Sequence, residues 1–351
     1  GVWSLSNGNW TDVNGNLVAS WGNSVTDSIG RFTNTGGAVV VDATGSMGGA
    51  LNFNRLIFSA DGYTISGDGL NTDNGAIDVT AGNSATINSA ISGVNGLAKE
   101  GTGTLLLGGA NSFTGGLSIN AGNVTVLQSA ALGAGDVLIN GAAQSLGFGG
   151  TMTVTNNING IGIGYDINTN GNEVRLEGSL SGGGADVVGG GRLTLANAVN
   201  AQPGTLAIVN GSVFVEGGVQ GGVSVAAGAG LGGTGTISGT VVNSGTLLPG
   251  AGSFQAGTLT IDNLTNLLGS FSQFELGNVG VVGGSNDLIV VNNDLRLDGT
   301  LQVVELANFN VGVGSYRLFN YGGVLDDQGL DLDAGLLAAP LGVSYAIDTS
   351  I

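Results

Sequence analysis

Residues 96–132 read GLAKEGTGTLLLGGANSFTGGLSINAGNVTVLQSAAL, three short strand signals set between glycine turns. Leu105 and Leu107 flank Leu106, Leu117 and Ile119 flank Ser118, and Val124 and Val126 flank Thr125. Alternation at period two marks a strand with one buried face, so Leu105, Leu107, Ile119, Val124 and Val126 are expected to point into a core. The breaks at Gly108-Gly109, Gly115-Gly116 and Ala121-Gly122-Asn123 carry residues that tolerate positive φ at turns. The chain therefore runs straight for a few residues and bends about every ten.

The unit recurs. Gly101, Gly103, Leu105 and Leu107 match Gly189, Gly191, Leu193 and Leu195, each 88 positions on, and Gly116 matches Gly204. After one inserted residue, Gly122, Val124 and Val126 match Gly211, Val213 and Val215. An offset of 88 is four coils of about 22 residues, and self-similar strands and turns without helical segments are the signature of a solenoid. At that period the chain makes about 16 coils.

Composition agrees. Glycine is 70 of 351 residues, about a fifth of the chain against a usual level of about 7%. Only 3 prolines exclude collagen, and 42% hydrophobic with 9% charged residues exclude a disordered chain. Seven cations against 25 carboxylates leave a net charge of −18 with no basic cluster, which argues against nucleic acid and against an anionic membrane surface. Cysteine is absent, which suits a chain that must stay unfolded across an oxidising compartment. No signal segment and no apolar run long enough for a transmembrane helix is visible, so any signal or anchor is expected outside this stretch.

In chain order, Trp3, Trp10 and Trp21 lie among Asn, Gly and Ser in the first 35 residues. They are expected to cover one end of the solenoid, the alternative being a sugar-stacking platform. Residues 36–95 and 133–186 carry short strand signals, and Asn156-Asn157-Ile158-Asn159-Gly160 is expected to stack amides between coils. From about residue 263 strands lengthen, aromatics return and glycine thins, which predicts a hairpin-bearing cap. The expected division is a stem with its Trp-containing cap over 1–223, followed by the last coils and cap over 224–351.

The residues present restrict the chemistry. Histidine and cysteine are absent, which removes Ser-His-Asp and thiol catalysis and the usual zinc ligands. Neither a Gly-x-Ser-x-Gly elbow nor a phosphate-binding loop occurs. Gly182-Gly183-Gly184-Ala185-Asp186 and Gly283-Gly284-Ser285-Asn286-Asp287 approach a calcium repeat, but each is one residue short and neither is tandem, so turns are expected. Asp326, Asp327, Asp331 and Asp333 form the one acidic cluster, read as a solvated loop rather than a cation site. A carboxylate pair on one face would still suffice for glycoside hydrolysis, though the sequence places none. The expectation is a protein with no catalytic, cofactor-binding or metal site.

Residues 94–132 resemble the passenger-associated transport repeat of bacterial autotransporters. Lys99, Gly101-Thr102-Gly103-Thr104-Leu105, Asn111, Phe113, Thr114-Gly115-Gly116 and Ala121-Gly122 stand at that repeat's strongest positions. Residues 228–351 resemble the pertactin-like end of such passengers through Leu231-Gly232-Gly233-Thr234-Gly235-Thr236-Ile237, Leu248-Pro249-Gly250, Asp287-Leu288-Ile289-Val290 and Gly314-Ser315-Tyr316-Arg317-Leu318-Phe319. Trp3, Asn9-Trp10 and Gly62-Tyr63-Thr64-Ile65-Ser66-Gly67 extend the likeness to the opening of the chain. The resemblance implies an all-β, right-handed, single-stranded parallel β-helix. It also implies export by a C-terminal β-barrel outside this stretch, display at or release from the bacterial surface, and an autochaperone at the C-terminal end. The function expected is non-enzymatic: an adhesin or adhesin stem meeting a host-cell or matrix molecule, or another passenger. A carbohydrate-active β-helix enzyme and a plain structural spacer are the alternatives. The Arg-Gly-Asp adhesive motif is absent.

Overall fold

The computed structural model describes residues 1–6, residues 21–306 except 142, 163, 203 and 253, residue 309, and residues 314–333 and 346–349. It divides into two compact units, Gly1–Asn170 and Gly171–Ile351.

In the first unit each coil from Ala50 to Leu107 carries three strands, one for each of three sheets. The first such coil runs Ala50–Asn52, Arg55–Phe58 and Tyr63–Gly67; the next runs Gly69–Asn71, Gly75–Val79 and Ser84–Ile87. Corresponding strands of successive coils pair in parallel, Ala50 with Gly69, Arg55 with Ala76 and Tyr63 with Ala85. Parallel pairing in which chain neighbours lie in different sheets is a parallel β-helix. Two coils on, Thr104 pairs with Asn123, only 19 positions away, and a 3₁₀ turn, Ser129–Leu132, stands in place of the third strand.

The alternation seen in residues 96–132 is the in–out alternation of the strands. Leu105, Leu107, Ile119, Val124 and Val126 are all fully buried. Because successive coils stay in register, they stack in columns: Ile87 on Leu107, Leu107 on Val126, Val126 on Phe148. Each such side chain contributes about 1.5–3 kcal/mol by leaving water. Gly101 turns the corner at φ +68°, and a Cβ there would sit 2.3 Å from the Val79 carbonyl oxygen, so glycine is required.

The second unit follows the same rule. Leu193 pairs with Val213 and Leu195 with Val215, as Leu105 pairs with Val124 and Leu107 with Val126. The inserted residue between the two sequence copies is the difference between a 20-residue coil here (Arg192 to Ser212) and the 19-residue coil of the first copy (Thr104 to Asn123). Towards the C-terminus the coils widen: Phe271 pairs with Thr300 and Leu295 with Leu325. The strands lengthen too, Thr258–Asn266 to nine residues and Leu295–Glu305 to eleven.

The described strands there do not form the expected hairpins. The long strands Phe271–Leu276, Leu295–Glu305 and Leu325–Leu332 pair in parallel, not as hairpins. Long alternating segments arise equally from a wide coil, and antiparallel contacts among the described residues are confined to the isolated bridges Gly233–Gly250 and Gly252–Gln255. The expected 223/224 boundary falls inside the strand Val223–Val225.

A polar groove among self-satisfied ladders

Several buried polar side chains of the interior are committed to the backbone of neighbouring coils. Asn111 accepts from the Ile91 amide of the preceding coil (2.8 Å) and donates to the Ala131 carbonyl of the next (2.6 Å). Asn200 repeats the device, accepting from the Leu180 amide and donating to the Gly218 carbonyl, both at 2.8 Å. Lys99 is fully buried, and its Nζ donates to the carbonyls of Glu100 (2.7 Å), Gly101 (2.6 Å) and Ala121 (3.1 Å). Burial pushes its pKa down to about 8, against the opposing pull of the Asp78 and Glu100 carboxylates. These side chains satisfy backbone groups that turns leave without ladder partners.

The outer faces carry ladders of the same kind. Arg55 Nη2 meets Asp78 Oδ2 at 2.9 Å, Asn120 Nδ2 donates to Glu100 Oε1 at 2.8 Å, and Asn140 Nδ2 donates to Asn120 Oδ1 at 2.5 Å. Asn71 donates to Asn52 at 2.7 Å, and Ser92 donates to Asn71 at 3.1 Å. Such ladders spend their hydrogen bonds on each other and leave little for a ligand.

A groove of about 520 Å³ in the second unit differs. Two outward columns line it. Thr240, Asn263 and Asp294 stand in one and Thr265, Arg296 and Asp326 in the other, with Leu264 and Leu295 between them and Val324 at the rim. The strand register sets the columns: Thr240 pairs with Asn263, Thr265 with Arg296 and Arg296 with Asp326. The pairing shifts between Ile237 and Thr240, where the chain carries one extra residue, and again between Leu297 and Gly299. A bulge of this sort bends its strand and re-aims the side chains beyond it. Gly239 occupies the first shift because a Cβ there would sit 2.2 Å from the Gly221 carbonyl oxygen.

Hydrogen bonding in the groove is incomplete. The Arg296 guanidinium approaches Asp298 and Asp326 only to 3.9 Å, and its buried Nε has no hydrogen-bond partner among the described residues. Asp294, which lines the groove, accepts at Oδ1 from the Val324 amide at 2.8 Å, which fixes the rim. Asn263 makes one long contact, 3.4 Å from the Asp294 amide. The arrangement offers a cation, carboxylates, hydroxyls and an amide in one concavity.

The residues singled out from sequence fall elsewhere, save Asp326. Trp3 and Trp21 are buried edge to face, 4.9 Å between ring centres, and Trp3 also meets Phe32, so neither is free to stack on a sugar. Trp10 lies outside the described residues. Asn156 donates to the carbonyls of Gly133 and Gly135 and Asn157 to Asp136, all in the preceding coil, and amide-to-amide pairs stand at Asn52–Asn71 and Asn120–Asn140. Asp186 is half-buried in the strand Ala185–Val188. Asn286 and Asp287 are fully buried. Asn286 accepts from the Gly277 amide and donates to the carbonyls of Asn278 and Val281, and Asp287 accepts from the amides of Gly257 (2.8 Å) and Glu275 (2.7 Å). Of the acidic cluster, Asp326 lines the groove, Asp327 accepts from the Gly329 amide, and Asp331 pairs with Thr300 in the ladder. Among the described residues no three acidic side chains converge as a metal site would require.

Comparison with known proteins adds two findings. Residues 97–126 match the family described as the passenger-associated-transport-repeat. Over 113 residues the sequence is 48% identical to the adhesin BmaC autotransporter of Brucella suis biovar 1 (strain 1330). That alignment covers 32% of this chain and 3% of the relative, so the chain spans a small fraction of the relative's length. No solved structure matches.

Proposed function

We propose that this chain is passenger sequence of the autotransporter type, carried at the bacterial surface or released from it, and that it acts without catalysis, as an adhesive segment or stem. The observation that carries the proposal is the likeness to an adhesin, joined to a groove whose hydrogen bonds are unspent. The partner is a host-cell or matrix surface molecule. Beads coated with the chain are expected to adhere to host cells above albumin-coated controls; equal binding would remove the adhesive reading and leave the stem. Reducing-end release from bacterial or host glycans would overturn the non-enzymatic part.

A second role belongs to the C-terminal end. The coils widen there and the strand Leu295–Glu305 runs to eleven residues, against at most five in the narrow stem. A solenoid grows by adding coils to a finished edge, and an open edge invites aggregation. We infer that residues 224–351 fold first and template the rest. Limited proteolysis of the whole chain with mass spectrometry should leave a core from 224–351; a surviving N-terminal core would refute the inference.

A further inference from the structure

We propose that the Thr240–Asp326 groove binds a short, neutral, hydroxyl-rich saccharide, an assignment that rests on the adhesive reading and names its ligand class. Among the described residues the Arg296 guanidinium makes no hydrogen bond, and it stands 3.9 Å from the carboxylates of Asp298 and Asp326, with Asp294 in the adjacent column of the groove. Guanidinium only donates and carboxylate only accepts. The group that completes both at once is a hydroxyl, and a vicinal diol presents two side by side. Thr240, Thr265 and the Asn263 amide extend the same mixed chemistry along the columns.

Other ligand classes fit worse. Asp294, Asp298 and Asp326 outweigh Arg296, and the chain carries −18 overall, so sialylated, sulfated and phosphorylated ligands are repelled. A metal cation would have to sit against the guanidinium. Val324 is 68% exposed at the rim and offers an apolar ledge to the C–H face of a sugar ring. From Thr240 to Val324 the floor crosses three strand spacings of about 4.8 Å, or about 14 Å, room for a short oligosaccharide. No aromatic ring lines the groove, so one site binds weakly and avidity comes from many displayed copies.

The test uses the whole chain and two readouts. Saturation-transfer NMR with maltotriose, cellotriose, triacetylchitotriose and lacto-N-tetraose should show binding to at least one of them and none to sialyllactose. Arg296→Gln and Asn263→Ala should each weaken it at least tenfold, whereas Asn140→Ala, on the self-satisfied ladder, should not; circular dichroism melts confirm that the variants fold. Coated beads supply the second readout. Mild periodate, which cleaves vicinal diols, should abolish adhesion to host cells, and Arg296→Gln should do the same to untreated cells. Adhesion that survives periodate but not protease would overturn the saccharide while leaving adhesion intact. Saccharide binding indifferent to Arg296→Gln, preference for the sialylated probe, or no binding to any neutral probe would overturn the groove. Loss of adhesion with retained groove-dependent NMR binding would sink the adhesive reading alone.

Discussion

In the first unit Lys99 turns a buried ammonium onto three carbonyls; in the second Asp287 turns a buried carboxylate onto two amides. Lys99 lies near the end of the strand Leu97–Glu100, and Asp287 immediately precedes the strand Leu288–Val291. Lys99 closes a narrow coil, whose next strand lies about twenty residues on, and carbonyls are the orphans there. Asp287 stands in the wide coils, where it takes the amides of Gly257, just ahead of the strand Thr258–Asn266, and of Glu275, inside Phe271–Leu276. A buried group left unmade costs about 1–3 kcal/mol, so one multidentate side chain of opposite polarity is worth its own desolvation. The regions differ in the sign of the staple, while the apolar in–out alternation is common to both.

That shared alternation gives the largest expected effect. Leu107→Asp places an unpaired charge in a fully buried column and should lower stability by several kcal/mol. Leu264→Asp should cost as much in the wide coils, since Leu264 is 1% exposed. The outward neighbours Leu106→Asp and Thr260→Asp should cost about 1 kcal/mol or less. Denaturant titration measures all four. Equal effects at Leu106 and Leu107 would break the register, and a mild Leu264→Asp would show that the wide coils are loosely packed.

The next effect separates the staples. Lys99→Met leaves three carbonyls unpaired and should cost about 3 kcal/mol at pH 7. The folded-state pKa of Lys99, about 8, lies below the ordinary 10.5, so between those values the unfolded chain binds more protons and stability rises with pH. The wild type should therefore gain about 2 kcal/mol over Lys99→Met between pH 7 and 10. A constant gap would mean that the lysine keeps its ordinary pKa and stays charged in the folded chain across this range.

Alternation and repeat were legible in the sequence because burial in a β-helix is decided by the next residue and the next coil. Leu105, Leu107, Ile119, Val124 and Val126 point inward as their spacing predicts. Long strands after residue 263 were legible as strands but not as coils, because Leu295–Glu305 alternates identically in a hairpin and in a parallel ladder. The groove was illegible. Thr240, Asn263, Thr265 and Asp294 read as ordinary outward residues, and only the register shifts near Gly239 and Gly329 make a concavity of them. Gly283-Gly284-Ser285-Asn286-Asp287 shows the converse: its composition resembles a calcium turn, yet burial commits Asn286 and Asp287 to backbone amides and carbonyls.

Asp287 supplies the smallest effect and the one that tests the sign of the second staple. Desolvation raises its pKa to about 7, with the neighbouring Glu275 carboxylate adding to the rise and the two amide hydrogen bonds opposing it. Its unfolded value is near 3.8, so between the two the folded chain holds more protons and stability falls as pH rises. Acidifying from pH 7.5 to 5 should therefore stabilise the wild type, through this residue, by about 2 kcal/mol. Asp287→Asn cannot titrate and turns an N–H toward an amide, so it should be less stable at both pH values and lack this gain. The difference between the two stability–pH curves isolates Asp287 from every other carboxylate. If the curves run parallel, Asp287 is ionised throughout, the amides outweigh its burial, and the two units close their turns with charges that are both fully formed at neutral pH.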